Sequence, residues 1–593
     1  MPRFDLRSAR ERNGTSPTDA ARGDARGRVA AVLAPPMRES RPDTVQLPST
    51  VAGAGGEADG TASAAAARRA ARRVRRATGF LRRLYAPFAA SSFSAPSSPA
   101  TLADAHRHGR GASGGAVGAA RLPNMAPDHY LITGRTGTGV HDRLDIEDLQ
   151  REPRQFTLFV LAFLALQGRG DAFEGLVVPP AARFAELAAI HGLPFTEWIG
   201  DHTSSDADYD PKDPKDSQPF PSRFGGYCSH GSVAFPTWHR PCIMSIEQAI
   251  GDVAVQLAER LSANSSSEEA AQWKDAARAL RFPFWDWAAE KVATNGVPKV
   301  ITDEKVSIAM PGGVVKEVEN PLAYYPFDTI PEGFRDEVFD VKAYFSQWKR
   351  TFRYVQSTTQ PDGNGNASMN AEIKKRAASI RQGVGRLFTY DDKGKPALVW
   401  DEFSNHTTQS LRKEDYYNIN SLEGVHDGLH GFIGGNGHMS FPDYAGFDPV
   451  FYLHHCNIDR LFALWEYVYP QYYMGKGYPS DGDTIPFTQS LGTYNLVYNA
   501  VLDGKTALAP YRTENSEYWT SDETRFLDGK YYSYPEVAGV KIGRDITDQQ
   551  RIEARKSLQK HYGVHDEVPS LAGQSRGFGA SSCRCSTRSV LLP

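Results

Sequence analysis

The stretch FYLHHCNIDR, residues 451 to 460, places two adjacent histidines inside an apolar run. Read as a helix, Phe451, His455, Ile458, Phe462 and Trp465 recur at steps of four, three, four and three, so they share one stripe. His455 therefore faces the core with the aromatics, and His454 lies at the stripe's edge. Imidazoles buried in this way are unfavourable unless something takes up their polar nitrogens. A chain built around such a helix must bring partners to the same place from elsewhere.

Other histidines are spaced to do so. EGVHDGLHG sets His426 and His430 four apart, on one helical face. The same spacing serves zinc proteases, but those need glutamate directly after the first histidine, and Asp427 stands there. In YCSHGSVAFPTWHRPCIMSIEQAI, a stripe of His239, Ile243, Ile246, Ile250, Val253 and Leu257 points His239 into the core at a helix start, with Pro241 suited to the first turn. His230, nine residues earlier and out of phase, must arrive from a loop. Phe184, Leu187 and His191 form a third stripe that stops at Gly192. Any one of these is ordinarily a core or surface histidine. Three plus three, converging without carboxylate or thiolate ligands, suit copper, and also zinc, iron or nickel. Two three-coordinate sites would keep positions open for a small molecule, unlike a closed structural metal site.

The chain has 593 residues and a formal net charge of −3, which gives no general attraction to nucleic acid or membrane surfaces. The apolar run LFVLAFLALQ is too short to span a bilayer. The five cysteines (Cys228, Cys242, Cys456, Cys583, Cys585) are few and odd in number, which argues against a disulfide scaffold and for a reducing compartment. Residues 1–124 are rich in Ala, Arg, Gly, Ser and Pro and read as a disordered leader, including the basic run at 64–85. Globular patterning begins at Met125, the expected functional start. No standard hydrophobic signal peptide is evident, so a cytoplasmic or unconventionally exported protein is expected. Short aromatic runs between 485 and 540, such as KYYSYPEV, read as strands. Residues 541–593 read as a polar helix, DQQRIEARKSLQKHYG, and a Gly/Ser/Arg-rich tail.

Around the histidines the sequence resembles a tyrosinase of the fungal branch of the type 3 copper proteins. The resemblance rests on IHGLPFTEW, CSHGSVAFPTWHRP, RFPFWDW, SLEGVHDGLHG, GGNGHMSFPDYAGFDPVFYLHHCNIDRLFALW, YYSYPE and the opening DHYLITG, and covers roughly residues 125 to 540. It implies a mainly α catalytic domain, a four-helix bundle around two copper ions, closed by short β-strands. His191, His230 and His239 would bind copper A, with His202 as the fallback for the first ligand. His426, His430 and His455 would bind copper B, with His454 beside them. Cys228 would be joined to His230 by a thioether, and Asp459 would orient a ligand imidazole. Glu423 matches a glutamate that, with an asparagine, holds a water beside copper B. Asp427 occupies the asparagine's position, so diphenol oxidation is a firmer expectation than phenol hydroxylation. Pro442, thirteen residues before His455, matches a substrate-gating position. Tyr532 and Tyr534 match the motif that ends the catalytic domain. The Cys583–Cys585 pair departs from the family's CxxC, and residues 541–593 read as a remnant or truncated lid.

The activity implied is ortho-hydroxylation of monophenols and oxidation of o-diphenols to o-quinones with O2, leading to melanin-type pigments. A catechol oxidase or o-aminophenol oxidase lacking the hydroxylation is the alternative enzyme. A hemocyanin-like oxygen carrier is the alternative of another class. The expected partners are small phenols, with no nucleic acid, no membrane span and no oligomeric state implied.

Overall fold

The computed structural model describes residues 125–126, 129–170, 175–201, 226–338, 341–355, 365–407, 417, 419–480, 483–489, 492–497, 499–541 and 546–564. The leader before 125, His202, Cys583 and Cys585 lie outside the described residues.

Helices make the frame, and their apolar faces explain the packing. Helix α1 (Pro153–Leu166) opens on a proline in its first turn, and every residue from Phe156 to Leu166 is buried. It lies along α3 (Phe235–Leu261), the longest helix among the described residues. Between them the short α2 (Phe184–Ala189) ends just before His191. After α4 (Ser267–Ala279), α5 (Gly365–Arg386) and α6 (Pro396–Ser404) come the two helices that carry the remaining histidines of the core. Helix α7 (Leu422–Gly434) is capped by Ser421, whose hydroxyl accepts from the Gly424 N–H at 2.9 Å. Helix α8 (Val450–Val468) is buried along its whole length and packs on both α3 and α7. The helical core expected from the histidine stripes is therefore present. No described helix is long and apolar enough to cross a membrane.

One helix begins earlier than its proline signal suggested. Helix α3 starts at Phe235 with Pro236 in its first turn, so Pro241 lies inside the helix rather than opening it. A proline at the next turn removes one backbone bond, a defect that a helix buried over most of its first sixteen residues can absorb through packing.

The strands are short pairs on the outside of this frame. β1 (His141–Asp142) pairs in parallel with β6 (Tyr532–Ser533), joining the two ends of the domain. A hairpin of β2 (Lys305–Ala309) and β3 (Val315–Glu319) lies on α1, and β4 (Ala507–Arg512) pairs with β5 (Tyr518–Thr520) beside α3.

Asp459 anchors the closure, and this corrects the expectation that it orients a ligand imidazole. Its carboxylate accepts from Arg240 Nε at 2.6 Å, Arg143 at 3.0 Å, Tyr532 at 2.7 Å and Tyr534 at 2.6 Å. Among the described residues no histidine hydrogen-bonds to it, because the side chain leaves α8 on the side facing α3 and β6 rather than the His455 side. Burial would push this carboxyl up, but Arg240 and Arg143 outweigh that effect and hold it below the usual range. The tyrosines are thus tied directly to the central helix. The following residue, Arg460, instead pairs with Glu536 and donates to Tyr562 at the end of α9 (Asp548–His561).

Candidate metal centre

Helix α7 presents His426 and His430 one turn apart, and α8 brings His455 to meet them. Their Nε2 atoms converge: His430 to His426 at 2.9 Å, His426 to His455 at 3.2 Å and His430 to His455 at 3.4 Å. The opposite nitrogen of His430 donates to the Met439 carbonyl at 2.7 Å, and that of His426 lies 3.0 Å from Asp427 Oδ1. A ring that gives its Nδ1–H to a carbonyl keeps its lone pair on Nε2 when neutral. The Nε2 atoms of His430 and His426 therefore face the His455 Nε2 with their lone pairs.

The second group comes from three separate segments. His239 sits in the first turns of α3 and donates from Nδ1 to the Phe235 carbonyl at 2.8 Å. His230 arrives from the loop before that helix, as its phase required. His191 lies just past the end of α2 and donates from Nδ1 to the Pro442 carbonyl at 2.9 Å, leaving its buried Nε2 without a hydrogen-bond partner. Cys228 stands among them, its Sγ 3.4 Å from His230 Nε2 and 3.3 Å from His239 Nε2. Burial pushes this thiol well above its ordinary pKa. The two groups abut, with the His239 and His455 rings stacked 4.4 Å apart.

Burial, reinforced by neighbouring imidazoles, holds His191, His230, His426 and His455 well below the ordinary histidine range, and burial brings His239 down to about 3. All are neutral at physiological pH. Converging lone pairs on neutral, buried imidazoles repel unless a cation accepts them, so both groups fit a metal. The α7–α8 group offers nitrogen donors only, and the other adds one thiol to its three imidazoles, a donor set that suits copper.

A small, narrow cleft opens onto the centre, lined by four of these histidines together with His406, Asp427, Ser440 and Pro442. Pro442 stands at the cleft wall. Glu423 is fully buried one turn before His426 and accepts from the Gly231 N–H at 2.7 Å and the His406 N–H at 3.1 Å. Burial raises its pKa, against the lowering effect of His406. Asp427 lies at the same wall, with Oδ2 2.8 Å from His406 Nδ1.

Two histidines have roles the sequence patterns did not single out. His406 joins Glu423 and Asp427 in a third cluster of ligand-type side chains. It follows α6 in the polar segment SNHTT, where no periodicity marks it. His438, in the loop after α7, accepts from the Phe352 N–H through Nδ1 at 3.1 Å inside an aromatic surround. His454 does lie beside His426, its ring stacked at 5.1 Å, but neither of its nitrogens has a hydrogen-bond partner. One of its nitrogens nonetheless lies within 4.8 Å of ligand-type nitrogens of His426, His430 and His455, inside the same cluster.

Two histidine triads, one carried by α7 and α8 and the other by α3 and two flanking loops, lie beside one cleft and define a dinuclear metal protein. Residues 181–468 match the family model described as the common central domain of tyrosinase. Polyphenol oxidase 2 of Agaricus bisporus is 33% identical over 456 residues, covering 75% of this chain and 70% of that protein. Tyrosinase of Neurospora crassa is 29% identical over 444 residues, covering 72% of this chain and 58% of its own length. Among solved structures, recombinant mushroom tyrosinase is 30% identical with a TM-score of 0.57, covering 74% of this chain and 68% of that one. The chain belongs to the tyrosinase family, oxidoreductases that act on phenols with a dinuclear type 3 copper centre and O2.

Proposed function

We propose that the protein is a tyrosinase, hydroxylating monophenols at the ortho position and oxidising the resulting o-diphenols to o-quinones, the precursors of melanin-type pigments. The observation that carries this reading is the pair of histidine triads opening onto one cleft with Glu423 buried directly behind it. His191, His230 and His239 hold one copper, and His426, His430 and His455 the other. When bound, the copper pair supplies dioxygen activation and the two-electron oxidation of the phenol.

The chain's own residues supply the rest. The cleft is narrow and walled by imidazoles and Pro442, which suits a flat phenol ring entering edge-on. A phenol ionises near ~10, so it needs a proton acceptor at neutral pH. Glu423 and Asp427 hold a water that takes this proton. Cys228, in contact with His230, forms a thioether to it and locks that ring in place. Residues 125–540 form the catalytic unit.

A second reading, a catechol oxidase without phenol hydroxylation, is favoured by Asp427. It places a carboxylate where an amide donor would otherwise help to hold the water. The test is oxygen uptake by copper-loaded protein with a monophenol and, separately, with a catechol, alongside Glu423→Gln. Uptake with both substrates supports the first reading. In that case Glu423→Gln should slow the monophenol by about a hundredfold and the catechol much less. Uptake with the catechol alone selects the second reading. Reversible oxygen binding with no sustained uptake would sink both.

A further inference from the structure

His406 makes two separate contacts with the acidic pair at the cleft wall. Its main-chain N–H donates to Glu423 Oε2 at 3.1 Å, and its ring Nδ1 stands 2.8 Å from Asp427 Oδ2 and 3.3 Å from Glu423 Oε2. One residue therefore approaches both carboxylates, by a hydrogen bond from its main chain and at ion-pair distance from its ring. The segment that carries it is held from the other side: Thr407 Oγ1 donates to the Gly231 carbonyl, while the Gly231 N–H donates to Glu423 Oε1 at 2.7 Å. Asp427 Oδ1 is meanwhile 3.0 Å from His426 Nδ1. The two oxygens of Asp427 thus face two imidazoles, one in the metal-binding group and one outside it.

Two carboxylates this close, one of them fully buried, repel each other unless a donor sits between them. His406 is the ring placed to do that. We propose that His406 is a positioning residue: its ring supplies the N–H that fixes Asp427 and Glu423 in place for taking a phenol's proton. With His406 beside it, an aspartate can serve at this wall without an amide. The inference rests on reading Glu423 and Asp427 as the proton-handling pair. A raised His406 pKa of about 9, arising from Glu423 and Asp427 against the larger opposing effect of burial, agrees with a ring that keeps its protons here.

The test is a cycle of His406→Ala, Asp427→Asn and the double variant. Each is loaded with copper, assayed with a monophenol and a catechol, and melted in the metal-free form. The expected result is that His406→Ala keeps two coppers per chain but lowers kcat for the monophenol, relative to the catechol, by about tenfold or more. It should also melt at a lower temperature than the unmodified protein. Adding Asp427→Asn should restore both the ratio and the melting temperature, because the repulsion His406 offsets is then gone. If His406→Ala does not fold, His406→Gln, which keeps an N–H donor, should hold the monophenol ratio within about threefold. An unchanged ratio in His406→Ala, or a loss that Asp427→Asn does not reverse, overturns the proposal. So does a folded His406→Gln that loses the ratio. Glu423→Gln separates this failure from the wider one: if it leaves the monophenol rate intact, the proton-handling pair itself is wrong. If it abolishes that rate while His406→Ala does not, only the role of His406 falls.

Discussion

Nδ1 of His191 donates a 2.9 Å hydrogen bond to the carbonyl oxygen of Pro442, 251 residues further along the chain. Three residues earlier, the Met439 carbonyl accepts from Nδ1 of His430 at 2.7 Å. The loop between α7 and α8 therefore orients one histidine of each triad. It is itself clamped from the 350s: Phe352 and His438 exchange two hydrogen bonds at 3.1 Å, and the Tyr354 N–H donates to the Gly434 carbonyl at 2.6 Å. Arg353 grips Asp448 at the end of the loop with bonds of 2.6 to 3.0 Å. Carbonyl acceptors on a rigid loop fix both the tautomer and the direction of each ring, which sets where its lone pair points.

Gly192→Ala should disturb this arrangement on the His191 side. A Cβ there would lie 2.6 Å from Asp443 Cα, so backbone must move and carry Pro442 away from His191. The expected outcome is about 1–3 kcal/mol of lost stability, with bound copper falling toward one per chain by elemental analysis. Two tightly held coppers in this variant would show that the Pro442 contact is dispensable.

Ligand removal distinguishes the triads. His239→Ala should leave the α7–α8 group intact and retain one copper, and His426→Ala should do the converse with the other group. An uncoupled Cu(II) signal in electron paramagnetic resonance, scaling with the remaining ion, is the readout. Retention of both coppers in either variant would remove that residue from the ligand set.

Cys228 should be joined to His230 in copper-loaded, oxygen-exposed protein. The bond forms between sulfur and a ring carbon with loss of the S–H and C–H hydrogens, O2 taking the two electrons. A peptide containing both residues should then be lighter by two hydrogens and resist thiol alkylation, unlike the metal-free protein. Full alkylation of unfolded, copper-loaded protein at Cys228 would exclude the link.

Asp459→Asn should destabilise the domain sharply, because it strips charge from a site where two buried guanidiniums and two tyrosines meet; breaking such a pair costs about 3–5 kcal/mol. The pH dependence follows from the lowered carboxyl pKa. A depressed pKa contributes stability that is present above the unfolded-state value of about 4. That stability is lost as pH falls through the folded value. Urea midpoints across this acid range should drop for the unmodified protein and flatten for Asp459→Asn. Equal slopes for both would place the acid sensitivity elsewhere.

Much of the centre is legible in the sequence. Stripe periodicity on α3 and α8 and the four-residue spacing on α7 are local properties of a helix, so they pointed His239, His455, His426 and His430 inward, and the phase break put His230 on a loop. Asp459 was not legible in the same way. Its place on α8 left open which neighbour it would meet, and two arginines from residues 143 and 240 decided that. The start of α3 was misplaced because Pro236 and Pro241 carry the same local signal, and only packing shows which one lies inside.

By itself, the sequence determined that the chain would form buried helices bearing neutral imidazoles, since periodicity and hydrophobicity act over a turn or two. Its motifs further pointed to the tyrosinase family. The tertiary structure alone decided which nitrogen of His191 and of His430 faces the centre, because that depends on carbonyls at Pro442 and Met439 in the loop between α7 and α8. It also brought His406 between Glu423 and Asp427. Hydrogen-bond partners far apart in the chain are chosen by how helices pack, and no local pattern records that choice.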